Sequence, residues 1–249
     1  MSGAASVPGA TLAMAAAELR LALRRGETLL ATAVLPVVVL AFFSSAGFVS
    51  VATGSRVAFL LPGSIAFAVV ATSLVSLGIT TAYDRHYGVL KRLGGSPLSR
   101  PELLAAKIVV VLVVEIGQVA LLVGVAALAL GWTVPANVSP GGLALAILLG
   151  TLAFAGLGLF LAGILRAEAM LAVANGLFVA SLVLGGMIVP VDHLPVPFDT
   201  LAPALPAAAL TEALRVALGG AGDASGPLAV LAVWGAATVV AATRTFRWE

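Results

Sequence analysis

Residues that usually perform catalysis or bind metals are sparse in this sequence. Its 249 residues include no cysteine and two histidines, which excludes disulfides, thiolate metal sites and cysteine nucleophiles. It lacks the G-x-x-x-x-G-K-[ST] phosphate loop, the H-E-x-x-H zinc helix and the G-x-S-x-G nucleophile elbow. We therefore expect no catalytic site, no metal site and no ATP bound through a phosphate loop.

One carboxylate stands out because it lies inside an apolar segment. Glu115 and Gln118 are three positions apart and share a helix face. A charge at the centre of a bilayer costs about 2.5–3.5 kcal/mol on insertion scales, so Glu115 should be protonated or face a polar partner or water. Lys107, two turns away, is too distant for a direct pair without bending. Two interpretations stay open: a structural partner within the chain, or a substrate path or gate.

Charged and aromatic residues are densest in the segment Tyr83–Lys107, which reads Y-D-R-H-Y-G-V-L-K-R-L-G-G-S-P-L-S-R-P-E-L-L-A-A-K. Tyr87, Leu90 and Leu93 recur at three-residue steps and predict one apolar side of a short helix. An apolar ridge ringed by charge indicates a docking surface. The alternative is that the segment is basic only because of its position beside a membrane, but this leaves its apolar residues unexplained.

The end of this segment predicts a turn and a new helix. Gly94 and Gly95 can end the short helix. Ser99 and Glu102 then form the S-x-x-E pattern of a capping box. We therefore expect a helix–turn–helix elbow.

The elements around these residues are those of an all-α membrane protein. The chain is 61% hydrophobic and 10% charged, whereas soluble domains are about 45–50% apolar and about 25% charged. Charge-free runs of roughly 18 or more residues are typical of membrane helices. Six spans are predicted near 29–50, 57–83, 102–131, 141–165, 169–190 and 227–243. The second and third spans are longer than a membrane requires, so their inner ends are expected to project into the cytosol.

Two helical features flank the spans. Residues 1–27 are predicted to hold a loose tail and an amphipathic helix, Thr11–Gly26, lying in the membrane interface; the alternative is a plain flank of the first span. The outer segment 190–220 is unusually apolar, with Leu210, Leu214 and Leu218 on one helical side. It is predicted either to re-enter the membrane as an outer gate or to be a surface connector.

The basic residues predict the orientation. Of the 13 Lys and Arg residues, all but Arg56 and Arg215 fall on one side when the spans are threaded in order. Since cytoplasmic loops carry the excess of Lys and Arg, both termini are expected in the cytoplasm, with the loop 84–101 on the same side. Ala, Val, Gly and Leu dominate the composition and the basic residues are nearly all arginine, which indicates a bacterial protein of the plasma (inner) membrane. A net charge of +2 indicates no nucleic-acid partner.

Small residues form a stripe along the fifth span. Ala172, Gly176 and Ala180 recur every four residues and permit the close approach of another helix. Asn175 and Phe178, one turn apart, are expected to point in similar directions and to line a substrate path. The stripe is predicted to pack a second subunit, and packing within one subunit is the alternative. The glycines of the fourth span are assigned to packing within the subunit.

Two segments carry a resemblance to a known family. Residues 83–107 resemble the loop between the second and third spans of type-2 ABC transporter permeases: a charged pair, Tyr-Gly, Leu-Lys-Arg-Leu, a small-residue turn, Pro-Leu-Ser and a lysine. The departure is Gly94-Gly95, where many relatives carry Arg or Ala. Residues 188–218 are similar to the family's outer segment, with aliphatic-Pro, Leu-Pro, a further proline and Glu-Ala-Leu-Arg.

The resemblance implies a mechanism. Two permeases, identical or paralogous, would each dock on a cytosolic ABC ATPase, which alone binds ATP and Mg, and would export an apolar or amphipathic substrate such as a drug, lipid or glycoconjugate. The fifth span would lie near the dimer axis. The coupling residues would be Asp84, Arg85, Tyr87, Leu90, Lys91, Arg92 and Leu93. Alternatives are an ATP-independent channel or secondary transporter and a membrane-embedded enzyme, neither of which needs a protruding dock.

Overall fold

The computed structural model describes residue 19 and residues 26–46, 55–93 and 99–245. All regular structure in these ranges is helical, which confirms the all-α class. The α-helices are α1 (Gly26–Ala46), α2 (Arg56–Val70), α3 (Leu77–His86), α4 (Val89–Leu93), α5 (Arg100–Leu128), α6 (Pro140–Ile164), α7 (Ala167–Leu184), α8 (Phe198–Leu201), α9 (Pro206–Ala217) and α10 (Ser225–Thr245). A π-helical segment, Ala71–Ser76, joins α2 to α3 without a break.

Five helices in the described residues are long and apolar enough to cross a membrane. They are Arg56–His86, Pro101–Leu128, Pro140–Ile164, Ala167–Leu184 and Ser225–Thr245. Helix α1, with 21 residues, covers most of the predicted first span. The second and third spans, at 31 and 28 residues, exceed the roughly 20 residues that a bilayer needs.

The fifth span ends six residues earlier than the predicted boundary at residue 190. Helix α7 stops at Leu184, and Gly186 takes a left-handed conformation with φ of 64° that favours glycine. The chain then runs directly against α2, where a Cβ on Gly63 would lie 2.0 Å from the Met187 carbonyl oxygen. The helix therefore ends where two backbones approach closely, which is a tertiary contact that the length of an apolar run does not predict.

The helix formed by α2, the π-helical segment and α3 lies at the centre of the fold. An unbroken run from Leu60 to Val70 is buried, because α1, α5, α6, α7 and α9 pack around it. Helices α5 and α10 instead keep large apolar side chains on the outside, as at Ile116, Leu128 and Val233. Outward apolar faces are typical of helices whose solvent is lipid.

Glycines of α6 let two neighbouring helices approach its backbone. A Cβ on Gly158 would lie 2.9 Å from the Leu74 carbonyl oxygen in the π-helical segment, and one on Gly156 would lie 2.5 Å from Thr238 Oγ1 of α10. Both positions exclude a side chain. The prediction that these glycines serve packing within the subunit is confirmed.

The segment 190–220, which was predicted to lie on the outer side, folds back into the protein. Helix α9 packs against α2, α6 and α10, and Leu210 and Leu214 are fully buried. A Cβ on Gly150 would lie 2.7 Å from Leu210 Cδ1. Gly150 follows Pro140 by ten residues, or about 15 Å of helix rise. Helix α9 therefore reaches about halfway along α6, as the predicted re-entrant segment would.

The predicted interfacial helix lies outside the described residues except at one position. Leu19 is helical and packs against Ala106 and Val110 near the start of α5.

Candidate functional site

The elbow between α3 and α5 is tied to the body of the protein by an ion pair. Lys107 Nζ lies 3.2 Å from Asp84 Oδ2, and the two side chains are 2% and 20% exposed. Asp84 belongs to α3 and Lys107 to α5. This pair therefore joins the C-terminal end of the second span to the N-terminal part of the third.

Arg85 joins the same end of α3 to α6. Its Nη1 donates to the carbonyl oxygen of Gly163 at 2.5 Å, and its Nη2 donates to that of Leu165. The last carbonyls of a helix have no partner within the helix and carry the negative end of its dipole. The Arg85 guanidinium supplies both hydrogen-bond donors for these carbonyls and a positive charge at the negative end of the dipole. Asp84 and Arg85, predicted to contact an ATPase, thus hold the elbow to α5 and α6.

The elbow presents a mixed apolar and basic surface. Tyr87 is 69% exposed and Val89 is 40% exposed, and Lys91 and Arg92 are exposed beside them. We call these four residues the elbow surface. The Leu93 side chain lies outside the described residues.

The expected ridge of Tyr87, Leu90 and Leu93 is wrong at its centre. Leu90 is 1% exposed and belongs to a core cluster with Leu103 and Leu104 of α5. Gly88, with φ of 70°, breaks the helix between α3 and α4, so the two do not share one helical phase. The three-residue spacing assumed one continuous helix and therefore assigned Leu90 to the outer side.

The capping box that opens α5 is confirmed. The Ser99 backbone N–H donates to Glu102 Oε2 at 2.6 Å, and the Ser99 hydroxyl donates to the same oxygen at 2.8 Å. This cap sets where α5 begins and so places Lys107 opposite Asp84.

A second group of polar residues lies between three helices. Glu115 and Gln118 of α5 are 1% and 4% exposed. Thr72 Oγ1, in the π-helical segment, donates to Gln118 Oε1 at 3.1 Å. Thr151 Oγ1, in α6, lies in hydrogen-bond contact with Glu115 Oε2. We call these four residues the buried polar cluster; π-helical turns are frequent at functional sites.

The buried polar cluster lies near the middle of α5 and α6, which carry three of its four residues. Thr151 follows Pro140 by eleven residues in the 25-residue α6, or about 16 Å of helix rise. Glu115 follows Arg100 by fifteen residues in the 29-residue α5. Glu115 therefore has the structural partner expected for a carboxylate within a span. Thr72 and Thr151 were not predicted, because threonine is common in apolar helices and only the tertiary contact distinguishes these two.

Helix α7 keeps its small-residue stripe on the outside. Ala172, Gly176 and Ala180 are exposed, and a Cβ on Gly176 would meet no atom within 4 Å in the described structure. Packing against the described residues of the same subunit therefore does not explain the stripe.

Asn175 and Phe178 of α7 differ in their surroundings. Asn175 is exposed, and its Nδ2 donates to the Leu171 carbonyl oxygen of its own helix at 2.7 Å. Phe178 is partly buried, and its ring lies 4.8 Å from that of Phe67 in α2. The two side chains, expected to line one path, therefore have different surroundings among the described residues, because Phe178 packs against α2 and Asn175 does not.

The end of the protein opposite the elbow is held by the arginine of the Glu-Ala-Leu-Arg helix. Arg215 pairs with Glu212, donates to the Gly186 carbonyl oxygen at 3.3 Å, and lies 4.9 Å from the centre of the Phe59 ring. It therefore links α9 to α2 and to the turn after α7.

Comparison with known proteins assigns the chain to a family. None of the curated proteins compared with this chain matches it. A family model described as ABC-2 type transporter matches residues 9–218, which include the elbow, the buried polar cluster and α9. The chain therefore belongs to the ABC-2 type transporter family, and it is a membrane-embedded transport subunit of an ABC transporter rather than an enzyme.

Proposed function

We propose that this chain is the permease half of an ATP-driven exporter whose ATPase is a separate cytosolic chain. The observation that supports this most is the elbow surface. It combines an exposed tyrosine and valine with two cations, and it is anchored to α5 by Asp84 and to α6 by Arg85. A surface that binds a moving partner needs such anchors, because an unanchored loop would not transmit the movement.

The anchors define how an ATPase would act on the spans. A movement of the elbow surface would be transmitted directly to α3, which is continuous with it along the chain. It reaches α5 through the Asp84–Lys107 pair and α6 through the two carbonyl oxygens bound by Arg85. The second span, at the centre of the fold, would then move against its neighbours.

The substrate is proposed to be apolar or amphipathic, such as a drug, lipid or glycoconjugate. Away from their ends the described spans carry few ionisable groups besides Glu115, and their polar side chains are mostly Ser and Thr hydroxyls, so they suit a ligand that is mainly apolar. We place the exported molecule beside the exposed face of α7, with both termini and the elbow in the cytoplasm of a bacterial cell.

A second permease, identical or paralogous, is proposed to cover the small-residue stripe of α7. Interfaces between membrane helices are enriched in small residues that let backbones approach closely. Gly176 lies at the centre of the stripe and is open on that side.

The decisive experiment tests the elbow surface with a matched pair of substitutions. Val89→Asp places a charge on that surface, whereas Val134→Asp places the same change on an exposed valine between α5 and α6, at the opposite end. We expect the tagged wild-type chain to purify from its native membranes with an ATP-hydrolysing partner. Val134→Asp should retain that ATPase activity and Val89→Asp should lose most of it.

The alternatives give different results. A channel, a secondary transporter or a membrane enzyme would purify without ATPase activity in all three forms. Equal ATPase activity with Val89→Asp and Val134→Asp would remove the elbow surface from the docking site. ATP hydrolysis by the chain after complete separation from its partner would contradict the assignment of hydrolysis to another subunit.

A further inference from the structure

The hydrogen bonds around Thr151 specify where one proton lies. Thr151 Oγ1 is 2.7 Å from the Ile147 carbonyl oxygen and also contacts Glu115 Oε2. A threonine hydroxyl has one hydrogen to donate and lone pairs that accept. If that hydrogen goes to Ile147, as is usual for threonine within a helix, the hydrogen between Thr151 and Glu115 must come from the glutamic acid.

The other carboxyl oxygen supports the same assignment. Glu115 Oε1 is buried and has no hydrogen-bond partner. As part of a neutral acid it is an unpaired carbonyl oxygen, which costs about 1–3 kcal/mol. As part of a carboxylate it would be an unpaired charge away from water, which costs far more.

The charged groups on the surrounding helices lie towards the ends. Helix α6 carries no charged residue, and α10 carries only Arg244, in its last turn. The second span carries Arg56 at its outer start and Asp84 with Arg85 at its inner end. On α5 itself the nearest ionisable side chain is Lys107, which lies eight residues earlier and pairs with Asp84. No described salt bridge includes Glu115.

We propose that Glu115 is a proton-binding site within the membrane-spanning domain. Its carboxylate takes a proton from a hydronium ion, water leaves, and the resulting acid donates to Thr151 Oγ1 while Thr151 donates to Ile147. The ligand is the proton itself. The structure described here is the protonated state, in which α5 and α6 are joined at mid-span by a neutral hydrogen bond.

The cluster also links this proton to the second span. Gln118 Nε2 is buried without a partner and lies one turn from Glu115 on the same helix face. An ionised Glu115 would recruit this amide as a donor. Since Gln118 Oε1 accepts from Thr72 in the π-helical segment, recruitment would alter the contact between α5 and the second span. Loss of the proton therefore favours a different arrangement of these helices.

Infrared absorption of the purified chain tests the site without any ATPase or substrate. A protonated carboxyl absorbs at a higher frequency than a carboxylate, and a maltoside detergent adds no carbonyl group of its own. At pH 8, about four units above the ordinary pKa of Asp and Glu, exposed carboxyls are ionised. We expect a remaining protonated-carboxyl band in the wild type, its loss in Glu115→Gln, and its retention in the control Glu102→Gln, which changes a capping residue of the same helix.

A second variant keeps the test decisive if Glu115→Gln does not fold. Thr151→Val removes the acceptor and leaves the acid, so the band should persist at a higher frequency. The absence of a protonated-carboxyl band in the wild type at pH 8 would overturn the proposal, and so would a band unchanged by both Glu115→Gln and Thr151→Val. Neither result would bear on the docking of an ATPase, which Val89→Asp tests separately.

Discussion

The Asp84–Lys107 ion pair gives an asymmetric prediction, because its two partners differ in exposure. Lys107 is 2% exposed and Asp84 is 20% exposed. Asp84→Ala removes the carboxylate from a buried ammonium group, and breaking a buried pair in this way costs about 3–5 kcal/mol. Lys107→Ala leaves a carboxylate that water can reach, so its cost should be nearer the ~1 kcal/mol of an exposed pair.

These energies translate into melting temperatures. One kcal/mol shifts the Tm of a domain of this size by roughly 2–4 °C. We therefore expect Asp84→Ala to lower the Tm by roughly 10 °C and Lys107→Ala by roughly 3 °C. Tryptophan fluorescence during heating in detergent measures both, since the chain has three tryptophans.

The double variant tests the cause. Removing both partners takes both charges of the pair out of the protein, and such replacements are often neutral. The double alanine variant should therefore melt at a higher temperature than Asp84→Ala alone, a non-additivity that a double-mutant cycle isolates. Equal losses in the two single variants, or a double variant that loses the sum of both, would refute the reasoning from exposure.

Three further predictions concern packing. Leu90→Asp should prevent folding rather than only docking, because Leu90 is buried; normal yield and melting temperature would contradict this. Gly63→Ala should destabilise the protein because its Cβ would lie 2.0 Å from a carbonyl oxygen, whereas Gly117→Ala, which meets no atom within 4 Å, should be neutral or stabilising by up to about 1 kcal/mol; thermal unfolding of both decides. A cysteine at Gly176 should form a disulfide between two copies upon oxidation in membranes, and one at the buried Ala174 should not; the reverse result would place another helix at the contact.

Local chemistry made several features predictable. The capping box depends only on a serine and a glutamate three positions apart. Ser99 and Glu102 have this spacing, and the structure shows the cap. The long apolar runs predicted the bounds of four of the five long apolar helices in the described residues within three residues, because a bilayer permits few alternatives to a helix. The apolar side of α9 likewise indicated burial, which the structure shows.

The prediction failed wherever the orientation of one helix depended on another. Leu90 was assigned to a docking ridge from its spacing, but the left-handed turn at Gly88 rotates α4 towards α5. Asn175 and Phe178 were predicted to line one path, but of the two only Phe178 packs against α2. Periodicity describes positions on a single helix and says nothing about which neighbour covers them.

The sequence alone thus determined that the chain is helical, that it lies in a membrane, and which loop concentrates its charge. These properties follow from composition, length and local hydrogen bonds. Only the tertiary structure decided that Asp84 pairs with Lys107, that Arg85 binds the end of α6, and that Glu115 meets Thr151. These contacts join residues 23 to 80 positions apart, and such contacts form only when the helices have packed against one another.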